Sequence, residues 1–168
     1  MKPMIKYAGG KSREIEIIKR FIPEYKGRYI EPFFGGGALY FYLEPQNAII
    51  NDVNSKLIEF YLGVRNDFPQ IKQELTSLEK QYIFNRIIFE ERKGKTDVKV
   101  EDANEKFYYQ MRDFFNNNSK SNFHPATVYF FINKTAYSGM IRYNKEGKLE
   151  GEYKSYHENG QVKMEGQY

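Results

Sequence analysis

The sequence contains no cysteine and no tryptophan, and only two of its 168 residues are histidine. Without cysteine, neither a disulfide framework nor a thiolate metal site is possible. His124 and His157 lie far apart and have no partners at ligand spacing, so we expect no metal site. No run of about 18 apolar residues occurs, and the N-terminal residues do not resemble a signal peptide. We therefore expect a soluble, cytoplasmic protein without membrane contact.

The charge balance is mildly basic, and aromatic residues are frequent. The formal net charge is +4, which suits a phosphate-backbone partner but is equally typical of an ordinary surface. Tyrosine and phenylalanine supply the 17% aromatic fraction. Because few other large apolar side chains are available, we expect most of these rings in the core and some as stacking platforms for bases.

The first 66 residues alternate between helix and strand patterns. Residues 12–22 place apolar side chains, Phe21 among them, on one helical face, and Pro23 ends this helix. A strand, a helix, a buried strand and a helix are then predicted in turn, at residues 28–31, 36–43, 47–52 and 55–65. This order is typical of a parallel α/β layer.

From Phe68 onward the sequence is charged and amphipathic, which predicts two helices joined by a polar loop at residues 94–99. A second loop is predicted at residues 116–125. An apolar stretch then predicts a buried helix over residues 126–140, with a turn at its end.

The last 22 residues, 147–168, have a different pattern. Apolar and polar residues alternate at period two around a turn at "ENG", which predicts a β-hairpin. The fragment "EGEY" at 150–153 recurs as "EGQY" at 165–168, which indicates a short repeat. This segment resembles a MORN-like repeat of the YwqK antitoxin type.

Three consecutive glycines follow the first predicted strand and precede a helix. Such a turn lets a ligand approach the backbone closely, and ligands of open parallel sheets bind at the carboxyl ends of the strands. Asp52 ends the next strand, 17 residues after Gly35, where an acid can accept hydrogen bonds from ribose hydroxyls. Two alternatives stay open: the glycines form only a tight turn, and Asp52 or Asn54 caps the following helix.

The glycine-rich segments match neither of two common phosphate-binding motifs. The glycines after the first strand do not have the GxGxxG spacing of a dinucleotide site. The segment "GGKS" at 9–12 resembles the end of a P-loop, but Ile5 occupies the position where that motif requires its first glycine. The segment also precedes the first strand, so a Walker-type ATPase is excluded.

Four segments together resemble the Dam-type, or D12 class, adenine-specific DNA methyltransferases. They are "KYAGGKS" (6–12), "YIEPFFGGGALYF" (29–41), "AIINDVNSKLIEFY" (48–61) and "FFINKTAYSGMIRYNKEG" (130–147). They stand in the family's order and spacing, and the resemblance covers about residues 3–148. It implies an enzyme that transfers a methyl group from S-adenosylmethionine to adenine N6 in duplex DNA.

The resemblance also implies a fold and a set of site residues. The fold is α/β: a partial Rossmann-like methyltransferase fold (1–66) and a helical target-recognition insertion (67–146), followed by the short C-terminal β-hairpin (147–168) that the alternating pattern predicts. The residues expected to bind the cofactor are Tyr7, Lys11, Glu31, Pro32, Phe33, Gly35, Gly37 and Asp52. The residues expected to contact DNA are Asn133, Lys134, Tyr137 and Arg142.

The family's catalytic tetrapeptide DPPY, which holds the flipped adenine, is absent from the sequence. No two of the six prolines are adjacent, so no catalytic residue can be assigned. We therefore expect a truncated chain that is inactive alone and only marginally stable, and a second chain that supplies DPPY is a candidate partner. The alternatives are a non-catalytic cofactor- or DNA-binding protein and a protein-interaction remnant.

Overall fold

The computed structural model describes residues 1–93, 95, 100–117, 121–136 and 141–150. The chain forms two compact units, Met1–Glu59 (unit 1) and Phe60–Tyr168 (unit 2). Helices and short strands are mixed, as the α/β prediction requires. The elements are α1 (Ile15–Ile18), β1 (Tyr29–Glu31), α2 (Ala38–Leu43), β2 (Ala48–Ile50), α3 (Ser55–Arg92), α4 (Ala103–Asn117), α5 (Pro125–Thr135), β3 (Arg142–Tyr143) and β4 (Leu149–Glu150).

A parallel pair of strands organises unit 1. Strands β1 and β2 pair in parallel with α2 between them in sequence, so the predicted strand–helix–strand order is confirmed. The expectation that the second strand is buried was wrong. Ile30 and Ile49 stand opposite each other in the register and are 62% and 44% exposed.

The first predicted helix is shorter than the sequence suggested. The α-helix covers only Ile15–Ile18 and passes into a 3₁₀ turn at Lys19–Phe21. Ile15 is buried, whereas Phe21 is 79% exposed. The two side chains therefore do not lie on one buried face, as the helical pattern predicted they would. Ile22 is extended (φ −81°, ψ 115°), as expected for a residue that precedes proline, because the proline ring disfavours helical backbone there.

Helix α3 joins two predicted helical stretches into one element of 38 residues. The backbone leaves helical geometry at Asp67 (φ −125°, ψ 27°), and Pro69 follows within the helix. Proline lacks the N–H that a continuous helix would use, so a kink is expected at this place. Among the described residues, no helix has the length and apolar character needed to cross a bilayer.

Aromatic rings fill the core of unit 2. Helix α5 is buried along most of its length, as predicted for this apolar stretch. The Tyr129 ring stacks on that of Phe60, with centroids 5.1 Å apart, and the Phe131 ring meets that of Phe107 edge-on at 5.2 Å. On α4, the buried Tyr108, Met111 and Phe115 recur at helical spacing. Packing of this stripe against α5 is the main tertiary contact of the unit.

A carboxylate of α3 fixes the start of α5. The Glu74 Oε2 atom accepts hydrogen bonds from the His124 backbone N–H (2.9 Å) and from the Thr127 hydroxyl (2.5 Å). His124 caps the helix, since its Nδ1 accepts from the Ala126 N–H at 3.1 Å. The imidazole fits only because residue 63 is glycine: a Cβ there would lie 2.6 Å from the His124 Cε1.

Strands β3 and β4 form a hairpin that the sequence analysis did not predict. Strand β4 pairs antiparallel with β3, and Asn144 and Gly147 form the turn between them. The Asn116 side chain of α4 accepts from the Leu149 N–H at 2.6 Å and donates to its carbonyl at 3.2 Å. Residues 147–150 therefore belong to unit 2. The predicted turn at "ENG" and the rest of the tail, 151–168, lie outside the described residues.

Glu74→Gln is expected to destabilise the protein by about 1–3 kcal/mol, because charge-assisted bonds from three donors, Gln70, Thr127 and the His124 N–H, are weakened or lost. Burial acts to raise the pKa of Glu74, but hydrogen bonds from Thr127, Gln70 and the His124 backbone lower it overall. A depressed folded-state pKa stabilises the fold at neutral pH. This stabilisation is lost as the pH falls from about 4.3, the unfolded value of glutamate, through the folded-state pKa. Urea denaturation from pH 3 to 7 measures it.

The matched control is Glu79→Gln, an exposed glutamate of the same helix. This substitution should leave both the stability and its pH dependence unchanged. Parallel stability curves for the parent chain and Glu74→Gln across this pH range would contradict the assignment.

Candidate functional site

The glycine loop is fixed at both ends by backbone hydrogen bonds. The Phe34 N–H donates to the Asn51 carbonyl at 2.9 Å, which ties the loop after β1 to the end of β2. The Gly37 N–H donates to the Phe34 carbonyl at 2.8 Å and closes a turn. Gly37 then caps α2, so the predicted glycine-opened helix is confirmed.

Two of the three glycines have backbone geometry that other residues rarely adopt. Gly35 has φ +51° and Gly37 has φ +68°, in the left-handed region. A Cβ on Gly37 would lie 2.4 Å from the Phe34 ring, and one on Gly35 would lie 3.2 Å from the Tyr7 ring. The loop is therefore a tight turn in which both neighbouring rings approach the backbone.

The Asp52 carboxylate joins the carboxyl ends of the two strands. Its Oδ2 accepts from the Gly35 N–H at 2.8 Å, and its Oδ1 accepts from the Asn54 N–H at 2.9 Å. Asn54 caps α3, because its side chain accepts from the Leu57 N–H at 3.2 Å. Of the alternatives that the sequence left open, the helix cap thus belongs to Asn54, whereas Asp52 holds the glycine loop.

Asp52 keeps capacity for further hydrogen bonds. Each carboxylate oxygen has two lone-pair sites, and each Asp52 oxygen receives one backbone N–H. The residue is only partly buried. A hydroxyl-bearing ligand can therefore bind the same carboxylate without displacing the loop.

The acid at the end of β1 has a different environment. The Tyr29 hydroxyl donates to the Glu31 Oε2 at 2.7 Å. Burial raises the pKa of Glu31, while the bonds from Tyr29 and the Tyr40 backbone oppose that rise. Burial and the same hydrogen bond raise the pKa of Tyr29, so its hydroxyl remains a donor at neutral pH.

The N-terminal residues of the predicted site divide into one that contacts the loop and one that faces solvent. The Tyr7 ring lies against Gly35, and the Tyr7 Cβ lies against Gly36. Lys11 is exposed, and its Nζ lies 3.3 Å from the Glu14 carboxylate. The structure thus places Tyr7 directly at the loop, whereas Lys11 is paired on the surface.

Exposed apolar side chains flank Asp52 and the loop. Phe33, which the family resemblance predicts as a cofactor-binding residue, is 85% exposed. Val53, which was not among the predicted site residues, is 94% exposed. Pro32 is also exposed. The signal for Val53 was present in the sequence, since an apolar residue stands between Asp52 and Asn54 in an otherwise polar turn.

The residues predicted to contact DNA occupy different environments in unit 2. Asn133 is 2% exposed, so its side chain lies inside the unit, and its expected contact with DNA stays a prediction. Lys134 is exposed, with its Nζ 4.9 Å from the Phe130 ring centroid. Arg142 is exposed on β3. Tyr137 lies outside the described residues.

Comparison with known families agrees with the motifs. The family model described as "D12 class N6 adenine-specific DNA methyltransferase" matches residues 7–167. The chain belongs to this family. The match extends through residue 167, and no comparison supports a separate MORN-like repeat in the segment 147–168. Among the described residues, no group of three or more potential ligands is placed to hold a metal ion.

Individual relatives are similar over most of this chain. This chain is 36% identical over 167 residues to the type II methyltransferase M.MjaIII of Methanocaldococcus jannaschii. The aligned region covers 93% of this chain and 53% of the relative. The chain is 30% identical over 166 residues to the DNA adenine methylase of Escherichia coli, covering 91% and 49%. The chain spans about half the length of these relatives.

Gly37→Ala is expected to destabilise this family member by about 1–3 kcal/mol, because the new methyl group meets the Phe34 ring at a strained φ. Gly9→Ala is the matched control. Gly9 has a similar φ of +74°, but a Cβ there meets nothing within 4 Å. Guanidinium denaturation compares the two variants. Equal losses would show that the φ value alone, and not the contact with Phe34, requires glycine at position 37.

Proposed function

We propose that this chain forms the cofactor-binding and DNA-contacting part of a DNA adenine N6-methyltransferase that uses S-adenosylmethionine. The observation that carries the proposal is the Asp52 carboxylate, which holds the Gly35 N–H and retains free acceptor sites. The names of the relatives, a type II methyltransferase and a DNA adenine methylase, support the same activity.

The residues around Asp52 fit S-adenosylmethionine. Asp52 would accept hydrogen bonds from the ribose hydroxyls, and the exposed Phe33 and Val53 would pack on the adenine ring. Tyr7 and the glycine loop would contact the methionine part, and Lys11 would reach it by exchanging its surface partner Glu14. When bound, the cofactor supplies a methyl group on a positively charged sulfur. The protein residues bind it and orient it.

The parallel strands support a larger fold assignment. We infer that β1 and β2 belong to a Rossmann-like sheet, because the glycine loop and Asp52 stand at the carboxyl ends of adjacent parallel strands, where such sheets bind ligands. The exposed pair Ile30 and Ile49 is consistent with a sheet face that a larger assembly would cover. The helices of unit 2 would then form the target-recognition region.

Lys134 and Arg142 are the described residues proposed to contact DNA. Both are exposed cations. Lysine meets a phosphate as a point charge, and arginine as a two-pronged donor. Tyr137 remains a sequence-based proposal for contact with the bases.

Transfer to adenine also requires acceptors for the amino group of the flipped base. The DPPY tetrapeptide that the family resemblance assigns to this task is absent from the sequence. Binding of cofactor and DNA without catalysis is the alternative function. Transfer of a radiolabelled methyl group to duplex DNA distinguishes the two: incorporation supports the enzyme, whereas binding of both ligands without incorporation supports the second candidate.

Asp52→Ala is expected to weaken S-adenosylmethionine binding by about 1–3 kcal/mol, the cost of removing a charged acceptor from a hydroxyl. This corresponds to about a 5- to 150-fold increase in the dissociation constant. Isothermal titration calorimetry of the folded variants measures it. Asn54→Ala is the control: it removes the neighbouring helix cap but retains the carboxylate, so its affinity should stay close to that of the parent chain. Unchanged affinity in Asp52→Ala would remove Asp52 from the site.

Lys134→Gln and Arg142→Gln are each expected to weaken duplex DNA binding to a similar extent for different sequences. Each should also reduce the slope of log affinity against log salt by about 1, since one phosphate contact is lost. Fluorescence anisotropy at several salt concentrations gives both quantities. Lys106→Gln serves as the control, because Lys106 is already paired with Glu101. A salt slope that both substitutions leave unchanged would exclude these residues as phosphate contacts.

A further inference from the structure

One side of α3 in unit 2 carries exposed apolar side chains between two charges. Phe84 and Ile87 are 59% and 51% exposed. Lys80 stands one turn before them and Glu91 one turn after, both exposed. We call these four residues, Lys80, Phe84, Ile87 and Glu91, the α3 seam.

The spacing of the α3 seam is that of a coiled-coil contact. The four positions follow one another at intervals of four, three and four residues, which keeps them in one narrow stripe along a helix. The stripe is about 17 Å long at 1.5 Å per residue. Ile83, 52% exposed, lies beside it and widens the apolar part.

The order of residues in the α3 seam is self-complementary when it is reversed. If two copies of α3 run antiparallel about a two-fold axis between residues 85 and 86, Phe84 of each copy faces Ile87 of the second copy. Lys80 of each copy then faces Glu91 of the second copy. We propose that this surface binds a second copy of the chain through an antiparallel pairing of the two α3 helices.

The charges favour this occupant and this direction. Lys80 and Glu91 form no ion pair with any residue that the structure describes, so both are available to a partner. A parallel pairing would place Lys80 against Lys80 and Glu91 against Glu91, which like-charge repulsion disfavours. A nucleic acid would be repelled by Glu91 and would leave Phe84 and Ile87 uncovered.

The α3 seam contains only two apolar layers per helix, which is less area than a stable dimer interface usually buries. The pairing is therefore weak and reversible, with a two-fold symmetric contact. It is independent of the proposed methyltransferase function.

Sedimentation equilibrium of the whole chain, from low micromolar to near-millimolar concentration, tests the pairing. The parent chain should shift from monomer to dimer as concentration rises, and Phe84→Glu should remain monomeric. Lys80→Glu and Glu91→Lys should each weaken the dimer several-fold, whereas the double variant with both changes should restore it. Glu79→Lys is the matched control, since it makes the same charge change about a third of a turn away from the seam.

A cross-linking experiment tests the direction. Because the chain has no cysteine, Phe84→Cys chains mixed in equal amounts with Ile87→Cys chains should form mixed disulfides at well over twice the amount of either homodimer, which is the proportion that random pairing gives. A parent chain that stays monomeric throughout, or a double charge variant no better than the single ones, would overturn the proposal. Mixed disulfides at or below that random proportion would overturn the antiparallel register.

Discussion

The hydrogen bond from the Gly35 N–H to the Asp52 carboxylate is the contact on which the organisation of unit 1 depends. It links residues 17 positions apart and joins the loops that follow the two parallel strands. The strands themselves have three residues each, too few to fix those loops by pairing alone. A partly buried carboxylate with two backbone donors supplies that constraint, since losing it would leave the Gly35 donor unsatisfied.

Unit 2 also has hydrogen bonds between a side chain and a distant backbone group, at longer sequence separation. The Glu74 carboxylate binds the start of α5, 50 residues away, and the Asn116 amide binds the backbone of β4, 33 residues away. Asn104, buried on α4, donates to the Tyr82 carbonyl of α3 at 2.9 Å. The aromatic core packs the helices together without direction. These polar contacts to backbone groups set where each helix begins and which segment lies beside it.

The sequence allowed prediction of those features that depend on local spacing. The strand–helix–strand order of β1, α2 and β2, the glycine that opens α2 and the apolar α5 follow from short-range patterns, and the structure has them. The burial of Asn133 and the exposure of Ile49 depend on which neighbours the chain brings to each face, and periodicity does not contain that information. The roles of Asp52 and Asn54 were likewise undecidable from sequence, because both side chains suit a helix cap.

The double use of Asp52 connects the fold to the proposed cofactor site. If the carboxylate held only the ribose, the glycine loop would have to become ordered when the cofactor binds, and that entropy would be subtracted from the affinity. Here the loop is already fixed by the same side chain, by the contact between the Phe34 ring and Gly37, and by the Tyr7 ring. A ligand that meets Asp52 therefore meets a preorganised backbone. Because the acid acts on both, a substitution that removes it alters loop order and ligand contact together, whereas the Asn54 cap affects only the helix that follows.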